Sequence, residues 1–222
     1  MFCIQGLRGL ASISVLCAHL ARGWDYDLYY PTTHENEPAR VLQWPFLRIP
    51  WQGRVGVGIF AFLTGYVCAL KPLKLARAGN TQAALSSIAK SCARRPPRLM
   101  LPAGIAMVIA WFVAQLGGFT VANRSDSEWM RYSSPELEPT LWLELCRLWD
   151  NFRSVWTTGV MNYDDHQWAM LPLLKGSIMV YVTLSGTIYM KYRFRMFVYS
   201  AILFFFYQDD RPDTGKYHAW SL

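Results

Sequence analysis

Arg8 and His19 stand eleven residues apart in an otherwise apolar stretch, Gly6-Leu7-Arg8-Gly9-Leu10-Ala11-Ser12-Ile13-Ser14-Val15-Leu16-Cys17-Ala18-His19-Leu20. At about 100° per residue, eleven steps return almost to the starting azimuth, so in a helix the two side chains share one face. At about 1.5 Å per residue they lie roughly 16 Å apart along the axis, half the thickness of a hydrocarbon core. Ionisable groups are expensive in lipid, so a matched pair on one stripe suggests a polar pathway rather than packing. Spacing alone leaves another reading open. Arg8 can snorkel to one membrane edge while His19 reaches the opposite interface.

Three further groups of residues could carry chemistry. The run Ser86-Ser87-Ile88-Ala89-Lys90-Ser91-Cys92-Ala93-Arg94-Arg95-Pro96-Pro97-Arg98 is cationic and stands just before an apolar segment. It reads either as a topogenic signal in contact with anionic lipid or as a phosphate clamp, because guanidinium groups grip phosphate through two parallel hydrogen bonds. The stretch Asn162-Tyr163-Asp164-Asp165-His166-Gln167-Trp168 offers acid, base and phenol together, for proton transfer or hydroxyl binding; a solvated turn fits it equally well. Trp24, Tyr26, Tyr29, Tyr30, Trp44 and Trp51 crowd the first loop and read as a headgroup belt, with a substrate platform as the alternative.

The elements that would position these residues follow from composition. Of 222 residues, 53% are hydrophobic and only 17% charged, and the apolar residues are bunched into long runs. The fold class expected is therefore all-α, a multi-pass transmembrane helical bundle of about five spans in a lipid bilayer. The spans fall at about 6–22, 54–71, 99–119, 168–188 and 194–208, each near the length that crosses a hydrocarbon core. A poor basic n-region and the spans that follow argue against a cleaved signal peptide at the first helix.

Charge placement orients the bundle. Lys71, Lys74, Arg77, Lys90, Arg94, Arg95 and Arg98 lie between the second and third spans with no acidic residue among them, and Lys191, Arg193 and Arg195 occupy the fourth connection. The positive-inside bias puts both in the cytoplasm, together with the N-terminus. Segment 120–167, rich in Asp and Glu, then belongs outside. Its Trp129, Trp142, Leu143, Leu145, Leu148, Trp149, Phe152, Val155 and Trp156 recur at roughly helical spacing, as in an amphipathic helix lying on the interface. The formal charge of +7 is accounted for by these topology signals, and no nucleic-acid partner is expected. Cys3, Cys17, Cys68, Cys92 and Cys146 are odd in number and scattered, giving neither a disulfide framework nor a zinc pattern. No metal is expected. In the second span, Gly53, Gly56, Gly58 and Gly65 read as helix-packing positions.

Taken together, the motifs resemble the acyltransferase 3 family, in particular its fungal branch of integral-membrane acyltransferases. Gly6-Leu7-Arg8-Gly9-Leu10-Ala11 followed by His19 is similar to the family's arginine, ten residues, histidine signature. Val57-Gly58-Ile59-Phe60-Ala61-Phe62-Leu63-Thr64-Gly65-Tyr66 resembles its phenylalanine-rich segment. Arg95-Pro96-Pro97-Arg98 with Leu101-Pro102 resembles the arginine, two residues, arginine motif before the third span, and Tyr163 to Trp168 resembles the segment leading into a tryptophan-initiated helix.

The resemblance implies transfer of an acyl group, commonly acetyl, from acyl-CoA (acetyl-CoA) as co-substrate to a hydroxyl-bearing acceptor, with no permanently bound cofactor. It casts His19 as general base or acyl relay with Arg8 on the same stripe, and Arg95 and Arg98 as the clamp on the coenzyme phosphates. Tyr163, His166 and Trp168 become the substrate-binding candidates. Gln5 stands where the family has an aspartate, and Leu173 where it commonly has a glutamate, so neither supplies a carboxylate. The family domain has about twice as many spans, so the chain reads as truncated. Two other readings therefore stand beside the enzyme: a non-catalytic relative or partner subunit, completed by a second copy or a longer homologue, and a small proton or solute transporter.

Overall fold

The computed structural model describes residues 2–33, 38–160, 163 and 165–208. It is helical, and no strand forms among the described residues. The helices are α1 (Phe2–Trp24), α2 (Gly53–Arg77), α3 (Thr81–Gln115), the short α4 (Thr120–Asn123) and α5 (Glu128–Tyr132), α6 (Leu141–Thr157), α7 (Met170–Thr187) and α8 (Tyr192–Gln208). Four of them are long and apolar enough to cross a membrane: α1, α2, α3, and α7 with the 3-10 turn that leads into it. The fifth expected span forms a helix too, α8, of 17 described residues.

Small side chains set the closest helix contact. α1 turns Ala11 and Ala18 inward, and α2 meets them with glycines. A Cβ on Gly56 would stand 2.8 Å from the Ala11 carbonyl oxygen and 2.8 Å from a Val15 methyl, and one on Gly53 would stand 2.8 Å from the Ala18 Cβ. The two backbones therefore approach as only glycine allows. Of the other glycines expected to pack helices, Gly65 comes near Val180 of α7, whereas Gly58 faces open space.

α2 and α3 form a tight antiparallel hairpin. Gly79, at φ +80°, ends α2 in the left-handed conformation that a side chain disfavours. Its N–H donates to the Ala76 carbonyl, and the Asn80 N–H to that of Leu75, both at 3.1 Å, the pair of bonds that closes a Schellman end. Asn80 at once caps α3, its side chain accepting from the Ala83 N–H at 3.0 Å. This end of the bundle is closed by Cys68, Ala84, Ile88, Tyr181, Leu184 and Ile188.

α3 departs from the expected layout. The cationic run 86–98, read from sequence as a loop before a third span at 99–119, lies inside one continuous helix of 35 residues, about 52 Å long. Pro96, Pro97 and Pro102 sit within it, each costing about 3 kcal/mol in a helix interior. Packing on both sides outweighs them: Ala84 and Ile88 are buried before the prolines, Met107 and Ala114 after.

α7 runs antiparallel to the first two-thirds of α3. Gln167 donates to the Ala103 carbonyl at 3.1 Å at one end, and Leu184 and Ile188 pack with Ala84 and Ile88 at the other. The last turns of α3 extend past the start of α7, where α6 covers them through Met107, Trp111, Leu148, Phe152 and Val155. Arg195 of α8 closes α7 by donating to the Thr187, Ile188 and Met190 carbonyls at 3.2, 3.0 and 3.3 Å.

Gly56→Ala should lower the thermal midpoint in detergent, because its methyl meets a backbone carbonyl that cannot move aside, at a cost of about 1–3 kcal/mol. Gly58→Ala, on the same helix and facing open space, should leave the midpoint unchanged. Equal midpoints for the two variants would show that the glycine seam does not hold α1 to α2.

Candidate functional site

The glycine seam brings His19, one residue beyond Ala18, to the mouth of α7. There a cavity of about 260 Å³ opens between α1, α2 and the start of α7, lined by His19, Arg22, Tyr29, Arg54, Trp168 and Leu173 among others. His19 is half-buried. Trp168 belongs to a 3-10 turn, Asp165–Ala169, which the Gln167 bond to Ala103 pins against α3. Two of the residues singled out by sequence, His19 and Trp168, are thus brought together. Leu173, the position where the resemblance points to a glutamate, faces the same cavity.

Tyr29 comes from the first loop. Gln52, just ahead of α2, donates to its backbone carbonyl at 3.1 Å. The turn before it is fixed by Gln43, which donates to the Asp27 carbonyl at 2.9 Å while accepting from the Arg40 N–H at 2.8 Å. Two guanidinium groups lie over the Tyr29 ring, that of Arg22 at 4.7 Å from its centroid and that of Arg54 at 5.2 Å. Cation–π attraction of this kind orients both arginines. Sequence reasoning missed all three as site residues. Arg22 follows His19 by three residues and so shares its side of α1, which was the signal available. In the sequence Arg54 reads as the first residue of a span, and Tyr29 as one aromatic of a belt.

The other candidates lie elsewhere. Arg8 is exposed on α1. Arg95 is half-buried and Arg98 exposed, one turn apart on α3. Arg95 reaches the Tyr181 hydroxyl electrostatically, beside Cys68 and Cys92. From Met170 at the cavity to Tyr181 is eleven residues of α7, or about 16 Å. Arg8 lies as far from His19 along antiparallel α1, toward the hairpin end, whereas Arg98 and Arg95 stand five and eight residues, about 7.5 and 12 Å, before Ala103, which Gln167 bonds at the cavity mouth.

Tyr163 does not line the cavity. It is buried, accepts from Arg147 Nε at 2.8 Å and donates to a Glu144 carboxylate oxygen at 2.8 Å. The side chain of His166 lies outside the described residues, as do Asn162 and Asp164. Among the described residues no group of three or more His, Cys, Asp or Glu converges as metal ligands would.

The Tyr163 cluster fastens α6 to the bundle. Glu144, 1% exposed, accepts from Arg147 at 2.6 Å, from Tyr163 at 2.8 Å and from the Glu138 N–H at 2.7 Å. Burial alone would raise its carboxyl, but the Glu138 N–H, the Tyr163 hydroxyl and the Arg147 guanidinium outweigh it and hold the carboxyl below its ordinary value. Burial first, then the bond to Glu144, push the Tyr163 hydroxyl up to about 12 against the opposing pull of Arg147. α6 is amphipathic as expected, but its inward face carries Glu144, Asn151 and Val155, while Trp142, Leu145 and Trp149 point outward.

A family model described as an acyltransferase domain, that of the acyltransferase 3 family, matches residues 1–217. The chain belongs to this family. It is 28% identical over 146 residues to an O-acetyltransferase, PaAT-1, of Phomopsis amygdali, a match covering 64% of this chain and 28% of that protein. It is 25% identical over 196 residues to acyltransferase R4 of a Phoma species, covering 73% of this chain and 42% of that one. The chain thus spans less than half the length of these curated relatives. No solved structure matches it.

Because the folded state holds the Glu144 carboxyl below its unfolded value, the stability it contributes is complete above the ordinary carboxylate range, about pH 4.3, and is lost as pH falls through the depressed value. Glu144→Gln should therefore cost about 2–3 kcal/mol at pH 7. The gap between wild-type and variant melting midpoints should close below about pH 4. A gap that persists in acid would assign the effect to packing.

Proposed function

We propose that this chain carries the histidine-bearing part of a membrane-bound O-acyltransferase that moves an acyl group, acetyl in the simplest case, from acyl-CoA to a hydroxyl of a sugar, lipid or small metabolite. The observation that carries the reading is the shared cavity of His19 and Trp168, with Arg98 and Arg95 about 7.5 and 12 Å along α3 from Ala103, the residue that Gln167 bonds. A hydroxyl beside His19 loses its proton to the imidazole as its oxygen attacks the thioester carbonyl carbon. The carbon–sulfur bond breaks, the ester forms, and the imidazolium returns the proton to the departing thiolate. Arg95 and Arg98 serve as the phosphate clamp.

One observation favours a second reading, a non-catalytic family member. Leu173 faces the His19 cavity where the resemblance points to a glutamate, so no carboxylate reaches the imidazole from that position.

The test is release of CoA thiol from acetyl-CoA by the purified full chain, with a panel of polyols as acceptors. Acceptor-dependent release that falls about 100-fold or more in His19→Ala supports the enzyme. No release from wild type, with turnover appearing in Leu173→Glu, supports the non-catalytic relative. Proton or solute flux into liposomes that ignores acetyl-CoA would replace both with a transporter.

A further inference from the structure

The His19 cavity is built for more than a neutral hydroxyl. Arg22 Nε and the Tyr29 hydroxyl are both buried, and neither has a hydrogen-bond partner among the described residues. Arg22 forms no ion pair among those residues either, and its guanidinium stacks over the Tyr29 ring at 4.7 Å. Buried donors are nearly always satisfied, and one left without an acceptor costs about 1–3 kcal/mol. Here two such donors, one fixed in charge, stand together in the wall of a cavity that also holds His19. No carboxylate appears among the described residues of that wall.

We propose that Arg22 and Tyr29 bind the carboxylate of the acceptor, so that the acceptor is a hydroxy acid whose hydroxyl is presented to His19. A guanidinium edge and a phenol hydroxyl together offer a planar acceptor one donor for each of its two oxygens. The cation–π stack holds the guanidinium in place before the ligand arrives, which lowers the ordering cost of binding. Leu173 agrees with this chemistry: a glutamate there would put a like charge in the pocket, whereas leucine leaves the cationic wall to the ligand. The hydroxyl is the reacting group and the carboxylate only a handle, so the reaction consumes no further reagent and the carboxylate is unchanged in the product. The catalytic role given to His19 rests on the acyltransferase reading, but the anion pocket does not.

The experiment compares two probes of nearly equal size that differ at one end, 3-hydroxybutyrate and 1,3-butanediol, by ligand-observed NMR titration of the purified full chain. The hydroxy acid should bind about tenfold more tightly or better, the worth of one charge-assisted hydrogen bond. Arg22→Gln and Tyr29→Phe should each cut that preference to about twofold or less, while Arg77→Gln, exposed at the far end of α2, about 35 Å along the helix from Arg54, should keep it. Equal binding of the two probes by wild type overturns the proposal whatever the variants do. A preference that survives in Tyr29→Phe, which removes a single oxygen and keeps the ring stack, overturns it as well. Acetyl transfer measured on the same samples separates the two claims. Carboxylate preference without transfer removes the enzyme and leaves the pocket; transfer to both probes with equal KM removes the pocket and leaves the enzyme.

Discussion

The site depends on how closely α1 and α2 approach. At Gly56 there is no room even for a methyl before the Ala11 carbonyl. That contact lets Ala11 and Ala18 bury without a large side chain between the helices. One residue past Ala18, His19 then emerges at the flank of the seam, where α7 begins. A wider seam would put His19 and Arg22 against lipid or solvent, and the imidazole would face neither Trp168 nor Leu173. Lipid tails give helix pairs no hydrophobic reason to associate, so backbone proximity and complementary shape must supply the attraction. The glycines and alanines therefore place His19 at the cavity as well as packing the two helices.

A second constraint fixes where the cations stand. The two-residue turn at Gly79 and Asn80 leaves α3 no slack against α2, and the bond from Gln167 to Ala103 sets its register against α7. Arg95 is carried by a rigid helix anchored at both ends of this pairing, and its height below the cavity is determined by helical rise. A loop would have let it wander. The three prolines occupy the middle of a helix whose flanks are buried. They remove backbone donors where Arg94, Pro97 and Arg98 are exposed, the side on which lost hydrogen bonds disturb packing least.

Much of this was legible in the sequence because apolar length is a strong signal. The helical class, the four long apolar helices and the motifs that carry the family resemblance need only composition and spacing. The boundaries of α3 were not legible. The run of charges places 86–98 in a loop before the third span, and only the burial of Ala84 and Ile88 by residues about a hundred positions away reverses that reading. Tyr163 escaped for a related reason. Its neighbours in sequence are polar and suggested a solvent-facing turn, whereas its partners, Glu144 and Arg147, come from a helix about twenty residues earlier. Arg22, Tyr29 and Arg54 each had a sufficient local explanation, so nothing in the pattern asked for them to meet on one ring.

The meeting of those three residues changes what the cavity can do. A histidine alone in an apolar pocket would accept any hydroxyl small enough to enter, and its selectivity would come from shape, which discriminates weakly among similar alcohols. A site with buried donors discriminates through the penalty of leaving them unpaired. Trp168 and Leu173 supply the apolar walls, and Arg22 with Tyr29 supplies a fixed polar point on the opposite helix and loop. The cavity thereby defines a direction for whatever it holds: one end toward the guanidinium, the other toward the imidazole. In the proposed reading, that direction, set by the seam between α1 and α2, lets a basic side chain act on a single hydroxyl.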